Sequence, residues 1–124
     1  MIRVIIERHC QSGKEAELEN LLVELRRNAM MQQGYVSGET LRSVDDHSLW
    51  LVLSTWLDVD LWKIWESSRE RQEMEHRIER LLTGPAKPAL FTFVWRACWS
   101  DSEAERWKSM TTSAAERSCQ GTTP

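Results

Sequence analysis

The sequence is poor in the residues that mark disulfide frameworks, membrane spans and secretion signals. Its three cysteines, Cys10, Cys98 and Cys119, have no paired spacing, which predicts free thiols and no disulfide framework. No apolar run approaches the roughly 18–20 residues of a membrane span, so no membrane partner is expected. The first residues lack the basic start, the long apolar stretch and the small-residue cleavage site of a secretion signal, which predicts a cytoplasmic protein.

Basic charge and the short motifs of several enzyme classes are also scarce. Sixteen Lys and Arg face nineteen Asp and Glu, giving a net charge of −3, so no nucleic-acid partner is expected. Cys-x-x-Cys and His-x-x-x-His are absent, so no metal site is predicted. The sequence has no P-loop, dinucleotide fingerprint or Gly-x-Ser-x-Gly motif, so nothing indicates hydride transfer or serine hydrolysis.

What the chain has is enough apolar sequence for one core, and an unusual number of tryptophans. Of its 124 residues, 41% are hydrophobic and 28% charged, which is typical of a single globular domain. Seven of the ten aromatic residues are tryptophan: Trp50, Trp56, Trp62, Trp65, Trp95, Trp99 and Trp107. Aromatic rings in such numbers either fill the core or line a pocket.

Hydrophobic spacing predicts the order β-α-β-β-α-β over residues 1–96. The first helix is predicted to begin at a Ser12-x-x-Glu15 capping box and to end before Gly34, with one buried face formed by Leu18, Leu21, Leu22, Leu25 and Ala29. The second helical segment is predicted to begin at Asp58 and to break near Ser67. Gly38 is read as a possible bulge. The strands are expected at residues 2–9, 35–44, 49–56 and 89–96.

This order is that of a ferredoxin-like α+β fold, a four-stranded antiparallel sheet with the helices on one face. The third strand is apolar at both alternating sets of positions, so we expect the other face of the sheet to meet its copy in a homodimer. Residues 97–124 are expected to form a C-terminal extension, a short helix through Trp107 and then a disordered stretch from Thr111 to Pro124.

Several stretches in this order resemble the antibiotic biosynthesis monooxygenase family of dimeric α+β barrels. The resemblance covers about residues 1–96 and rests on Ile5-Ile6-Glu7-Arg8 with Gly13-Lys14-Glu15, Gly34 through Arg42, Ser54-Thr55-Trp56, Trp62-x-x-Trp65-x-x-Ser68 and Ile78 through Pro85. It implies a homodimeric barrel with a hydrophobic pocket between the sheet and the second helical segment. Trp56 and Trp65 occupy matching positions at this pocket.

The family includes cofactor-free quinol oxygenases, haem-degrading enzymes and members with no known reaction. The haem-degrading branch has an Asn on the first strand, where this chain has Glu7 or Ile6. It has a His ten residues after the helical Trp, where this chain has Glu75, followed by His76. The resemblance therefore allows a haem-binding or haem-degrading monooxygenase, or a non-catalytic binding domain, beside the cofactor-free oxygenase.

Candidate site residues follow from helical phase and from this resemblance. On a continuous helix Trp62, Trp65, Arg69 and His76 would share one arc, giving aromatic walls, a cation and a titratable imidazole. The alternatives are that the two Trp side chains fill the core and that His76 lies on a solvated face.

On the second strand Arg42 is expected to pair with a carboxylate or an anionic ligand, and Arg8 on the first strand has the same two interpretations.

The leading hypothesis is a monooxygenase without metal or flavin, whose partners are a small aromatic molecule and dioxygen. Trp56, Trp62 and Trp65 form its walls, Arg69 or Arg42 stabilises the substrate anion, His76 is the base, and Tyr35 donates a hydrogen bond.

Overall fold

A computed structural model describes residues 1–95 and Arg106 of the chain. The chain divides into two compact units, Met1–Phe93 and Val94–Pro124. The first unit contains β1 (Ile2–His9), α1 (Glu15–Met30), β2 (Tyr35–Arg42), β3 (Leu49–Trp56), α2 (Val59–Glu66), α3 (Arg69–Glu79) and β4 (Pro88–Thr92). The predicted helix through Trp107 and the predicted disordered stretch from Thr111 lie outside the described residues, apart from Arg106.

The four strands form one antiparallel sheet in the order β2-β3-β1-β4. β1 is central because it pairs with β3, from Ile2 opposite Trp56 to His9 opposite Leu49, and also with β4. This order confirms the predicted ferredoxin-like α+β fold. The fourth strand is shorter than the predicted 89–96, since it ends at Thr92.

The helices cover one face of the sheet, and alternation along β1 defines that face. Ile2, Val4, Ile6 and Arg8 are buried there, while the residues between them are more exposed. The register places Trp50, Val52, Ser54 and Trp56 of β3 on the same side. The α1 side chains that are buried against this face are Leu18, Leu22, Leu25 and Ala29, four of the five residues of the predicted stripe. The fifth, Leu21, is only partly buried.

The second helical segment consists of two helices, as the predicted break near Ser67 requires. Asp58 caps α2 by accepting a hydrogen bond from the backbone N–H of Leu61 at 2.9 Å. Ser68 caps α3 by accepting from the N–H of Arg71 at 3.2 Å. The new cap restarts the helical phase, so the two helices bury different sets of side chains.

Two local predictions are wrong. Lys14, not Ser12, is the N-cap of α1, and no side chain there accepts a capping hydrogen bond. The irregularity in β2 lies between Tyr35 and Ser37, not at Gly38. Gly38 is instead a place of close approach, because a Cβ there would collide with the Tyr35 hydroxyl.

The opposite face of the sheet carries no helix of the first unit and has a large apolar component. The register places Ile5, Leu51, Leu53 and Leu41 there, with Phe91 of β4 beside β1. Leu41 and Phe91 are exposed, and the other three are only partly buried. We call these five residues the outer apolar face.

Candidate functional site

A narrow cavity lies between the helix-facing side of the sheet and the helical layer. It has a volume of about 50 Å³. This is room for one or two water molecules, so an aromatic ring can enter only if lining side chains move. Its walls are mainly apolar and aromatic, from α1, β2, β3, α2 and α3, and include Leu22, Leu25, Tyr35, Trp56, Trp62 and Trp65.

Three aromatic side chains from three elements form one wall of this cavity. Trp56 stands edge-on to Trp62, with ring centroids 5.6 Å apart, and Tyr35 stands edge-on to Trp56 at 5.5 Å. The indole N–H of Trp56 donates to the Ser54 hydroxyl at 3.0 Å. Trp62 has its indole nitrogen buried with no hydrogen-bond partner among the described residues. We call Tyr35, Trp56, Trp62 and Trp65 the tryptophan pocket.

Tyr35 owes its place over the sheet to glycine. Gly38 has no side chain, which leaves space for the phenol ring to lie along β2. Burial raises the pKa of the Tyr35 hydroxyl, and the nearby positive charge of Arg26 opposes the shift. Tyr35 is therefore a neutral phenol at pH 7, able to donate a hydrogen bond into the cavity.

Behind the aromatic wall lies a buried cluster of two arginines and one carboxylate. Arg8 donates two hydrogen bonds to Glu75, at 3.0 Å and 2.6 Å. Arg71 Nη2 lies 3.2 Å from the same carboxylate. The Arg8 side chain is 0% exposed and that of Arg71 is 8% exposed. We call Arg8, Glu75 and Arg71 the charge cluster.

The charge cluster is in contact with the tryptophan pocket through Arg71. The guanidinium of Arg71 lies over the ring of Trp62, 5.1 Å from its centroid, and Arg71 also lines the cavity. Burial lowers the pKa of Arg71, and the Arg8 charge lowers it further, while Glu75 and Glu66 oppose the shift.

Glu75 remains ionised although it is partly buried. Burial raises the pKa of its carboxyl group, but the hydrogen bonds from Arg8 and the charges of Arg8 and Arg71 outweigh burial, so the net shift is downward. At pH 7 the charge cluster therefore holds two positive charges and one negative charge.

Of the predicted site residues, the structure brings Trp56, Trp62, Trp65 and Tyr35 to one cavity. It does not bring Arg69 or His76 there. The Arg69 side chain is 92% exposed and pairs with Glu73, and that of His76 is 86% exposed. The arc expected for a continuous helix is not formed, because α3 begins afresh at Ser68 and turns Arg69 and His76 outward.

Arg42 also lies away from the tryptophan pocket. Its Nε donates to the His47 carbonyl at 2.7 Å, and its guanidinium lies 5.2 Å from the Trp50 ring centroid. It lines a separate groove between α1 and β2 together with Arg26 and Trp50. For Arg8, the structural interpretation is the one observed, since its partner is a carboxylate of the chain itself.

Sequence reasoning missed Arg71 and Glu75, although a signal for both was present. Arg71 lies three residues before Met74 and seven before Ile78, on the buried stripe of α3, and Glu75 follows Arg71 by one helical turn. A charged residue in phase with an apolar stripe, four residues from an opposite charge, indicates a buried ion pair. The sequence carries a similar signal for Arg8, because this residue continues the alternating buried positions Ile2, Val4 and Ile6 of β1.

The residues at this pocket do not fit a haem iron. The position that the resemblance implies for a histidine ligand is Glu75, whose carboxylate is bound by Arg8 and Arg71. The adjacent His76 points to solvent. Within residues 1–95 and Arg106 there is no group of three or more His, Cys, Asp and Glu that could hold a metal ion.

None of the helices in this part of the chain is long and apolar enough to cross a membrane.

Comparison with solved structures places this architecture among known folds. SnoaB, described as a cofactor-independent oxygenase from Streptomyces nogalater, superimposes with a TM-score of 0.68 and 20% identity over 77% of this chain and 95% of its own. Rv0793 from Mycobacterium tuberculosis gives a TM-score of 0.70 and 16% identity over 77% of this chain and 97% of its own. At these identities the similarity establishes the fold.

A third structure, a putative antibiotic biosynthesis monooxygenase from Bordetella bronchiseptica, gives a TM-score of 0.69 and 21% identity over 76% of this chain and 97% of its own. A search of curated proteins finds no match. The family model for antibiotic biosynthesis monooxygenases matches residues 1–77, more than half of the chain. This match, together with the ferredoxin-like sheet, shows that the chain belongs to the antibiotic biosynthesis monooxygenase family.

Proposed function

We propose that this protein is a cofactor-independent monooxygenase that oxidises a small aromatic or quinol-type substrate in the tryptophan pocket. The observation that carries the proposal is the cavity itself, an apolar, aromatic-walled space with a neutral phenol and one buried guanidinium at its lining. Such a space favours a flat aromatic ligand with one polar edge.

The reaction balances without a reductant from outside. A phenol with a free para carbon and one dioxygen give a para-quinone and water. The ring C–H and the O–H of the phenol supply the two hydrogens of the water, and one oxygen atom becomes the new carbonyl. All four electrons that reduce dioxygen come from the substrate, so the protein needs only to bind and orient it, exclude water and stabilise charge.

The pocket residues divide this work by their chemistry. Trp56, Trp62 and Trp65 give the flat ring apolar contact on several sides. Tyr35, a neutral phenol, donates a hydrogen bond to a substrate oxygen. Because the volume of the cavity is only about 50 Å³, substrate entry requires the lining side chains to separate. Tyr35 is the most exposed of the four pocket residues, so we expect its side chain to move on entry.

A homodimer is the second part of the proposal. The outer apolar face would leave Leu41 and Phe91 in water in a single copy, and burial of such a patch favours association. The resemblance to dimeric α+β barrels supports the same arrangement, in which two sheets meet face to face.

Oxygen consumption with a panel of phenols that have a free carbon para to the hydroxyl, such as 1-naphthol, tests the activity. We expect uptake above autoxidation, with the matching para-quinone as product. Trp65→Ala is expected to lower kcat/KM by about tenfold or more, equivalent to about 1.4 kcal/mol of lost transition-state stabilisation. Trp50→Phe, at a buried Trp outside the pocket, is the control and should leave the rate unchanged.

Two outcomes would replace this function. Saturable ligand binding without any product would indicate a non-catalytic binding domain. A saturable Soret band on titration with haemin, lost in His76→Ala, would indicate haem chemistry. We expect the haemin titration to be flat, because no histidine lines the cavity.

A further inference from the structure

The charge cluster carries more positive than negative charge. Arg8 and Arg71 share the single carboxylate of Glu75. Among the described residues, the Arg71 side chain forms no other ion pair and no side-chain hydrogen bond. Glu66 is near enough to raise the pKa of Arg71 but does not form an ion pair with it.

A surplus charge is costly in a buried position. Removing a guanidinium from water carries a penalty that only a counter-charge or hydrogen-bond acceptors offset. Arg8 donates two hydrogen bonds to Glu75, and its Nε is buried with no hydrogen-bond partner among the described residues. Arg71 has one contact to Glu75 and lies over the face of Trp62, and within residues 1–95 and Arg106 no other carboxylate or side-chain acceptor bonds its guanidinium, which can therefore donate to a ligand.

Arg71 is also the member of the charge cluster that reaches the cavity. It lines the cavity, and Arg8 and Glu75 do not. The other charged residues of the lining, Arg26 and Glu39, are exposed, so water already screens them. The buried, under-neutralised guanidinium therefore faces the same apolar space as the tryptophan rings.

We propose that the tryptophan pocket binds its aromatic ligand as an anion, a phenolate or a carboxylate, whose charge is balanced by Arg71. This inference rests on the proposed function for the choice of pocket, and it adds that the cation which balances the ligand charge is Arg71 and not Arg69 or Arg42. Glu75 is a positioning residue, which holds the Arg71 guanidinium beside Trp62 and does not itself reach the ligand.

Ligands of equal shape and different charge test the inference directly. Calorimetry with 2-naphthoate and its neutral isostere 2-naphthamide should show tighter binding of the carboxylate. Titration of bound 4-nitrophenol, whose absorption separates phenolate from phenol, should show that the protein lowers the pKa of this probe. A carboxylate preference alone would identify aromatic acids as ligands, and a lowered phenol pKa would identify phenolates.

Arg71→Met and Arg69→Met form the matched pair of variants. Both positions are on α3, but only Arg71 lines the cavity, and Arg69 is on the surface. Arg71→Met should weaken anion binding by about 10- to 100-fold, the loss of one charge-assisted hydrogen bond in a desolvated site, and should leave naphthamide binding unchanged. Arg69→Met should change neither.

Glu75→Gln separates a charge effect from general damage. Glutamine keeps a side-chain oxygen that can accept from Arg8 and Arg71 and so preserves their positions, but it removes the negative charge, so anion binding at neutral pH should stay equal or become tighter. A weaker affinity in a variant that remains folded by circular dichroism would overturn the inference.

The inference and the proposed function fail in different ways. Equal affinity of wild type for naphthoate and naphthamide, with no change in the 4-nitrophenol pKa, rejects the anion site and leaves the oxygenase standing. Absence of binding by all three probes, together with absence of oxygen uptake, rejects both.

Discussion

Glu75 links two parts of the chain that are 67 residues apart, because its carboxylate binds Arg8 of β1 and Arg71 of α3. Breaking such a pair by removal of one partner leaves a buried charge without compensation, at a cost of roughly 3–5 kcal/mol. The cluster therefore fixes α3 to the sheet at the point where Trp62 and Trp65 must meet β3.

The Glu75 carboxyl predicts a pH dependence of stability. Its pKa in the folded protein is below the ordinary value of 4.5, so the ion pairs contribute stability above pH 4.5 and lose it as pH falls through the folded pKa. In urea unfolding, the advantage of wild type over Glu75→Gln should be largest near pH 7 and shrink below pH 4.5. Glu73→Gln, at an exposed ion pair, should differ from wild type by less than about 1 kcal/mol. A constant advantage down to pH 3 would contradict the assignment.

The backbone conformation and close packing of Gly34 lead to a second prediction at the residue scale. Its φ is +93°, and a Cβ there would lie 2.7 Å from the Leu61 side chain of α2. Gly34→Ala should destabilise the fold by roughly 1–3 kcal/mol, since it adds backbone strain and a steric clash. Gly13→Ala is the matched control, because Gly13 has a φ of +85° but open space around it. Equal losses in thermal unfolding would show that the clash with Leu61 is relieved cheaply.

At the scale of elements, the break between α2 and α3 decides which side chains reach the pocket. Trp62 and Trp65 belong to the buried stripe of α2, and Arg71, Met74 and Ile78 to that of α3. A single unbroken helix would have placed Arg69 and His76 in line with the two tryptophans. The Ser68 cap resets the phase and brings Arg71 inward instead.

The helix caps give a prediction at this scale. Asp58→Ala and Ser68→Ala each remove a side-chain acceptor from an N-terminal backbone N–H, so each should cost about 0.5–2 kcal/mol of unfolding free energy. Ser12→Ala should be near neutral, because Ser12 does not cap α1. A loss at Ser12 as large as at Ser68 in denaturant unfolding would restore the capping box that the structure argues against.

At the scale of the whole molecule, the sheet has one face covered by helices and one outer apolar face. In the proposed homodimer the second copy covers the latter, as in the dimeric α+β barrels that this chain resembles. The tryptophan pocket lies on the opposite, helix-covered side, so each protomer would hold its own cavity.

Light scattering tests the dimer. Wild type should have a mass near twice 14.5 kDa, and Phe91→Glu should shift the population toward a single copy by placing charge in the interface. Ile64→Glu is the control, since Ile64 is an exposed apolar residue on α2, away from the outer apolar face. A wild-type mass of 14.5 kDa at micromolar concentration would remove the dimer from the proposal.

The sequence by itself determined the order of elements, most of the buried stripe of α1 and the break near Ser67. These follow from hydrophobic period and capping chemistry, which are local properties of the chain. The phase of α3 puts Arg71 on its buried stripe, but only the tertiary structure decided which cation faces the pocket. Arg42, Arg69 and Arg71 all lie on predicted elements, but only the packing of α3 against β1 brings Glu75 to Arg8 and turns Arg71 toward Trp62. Sequence spacing sets the phase within one helix, whereas the pairing of charges between distant elements depends on how those elements pack.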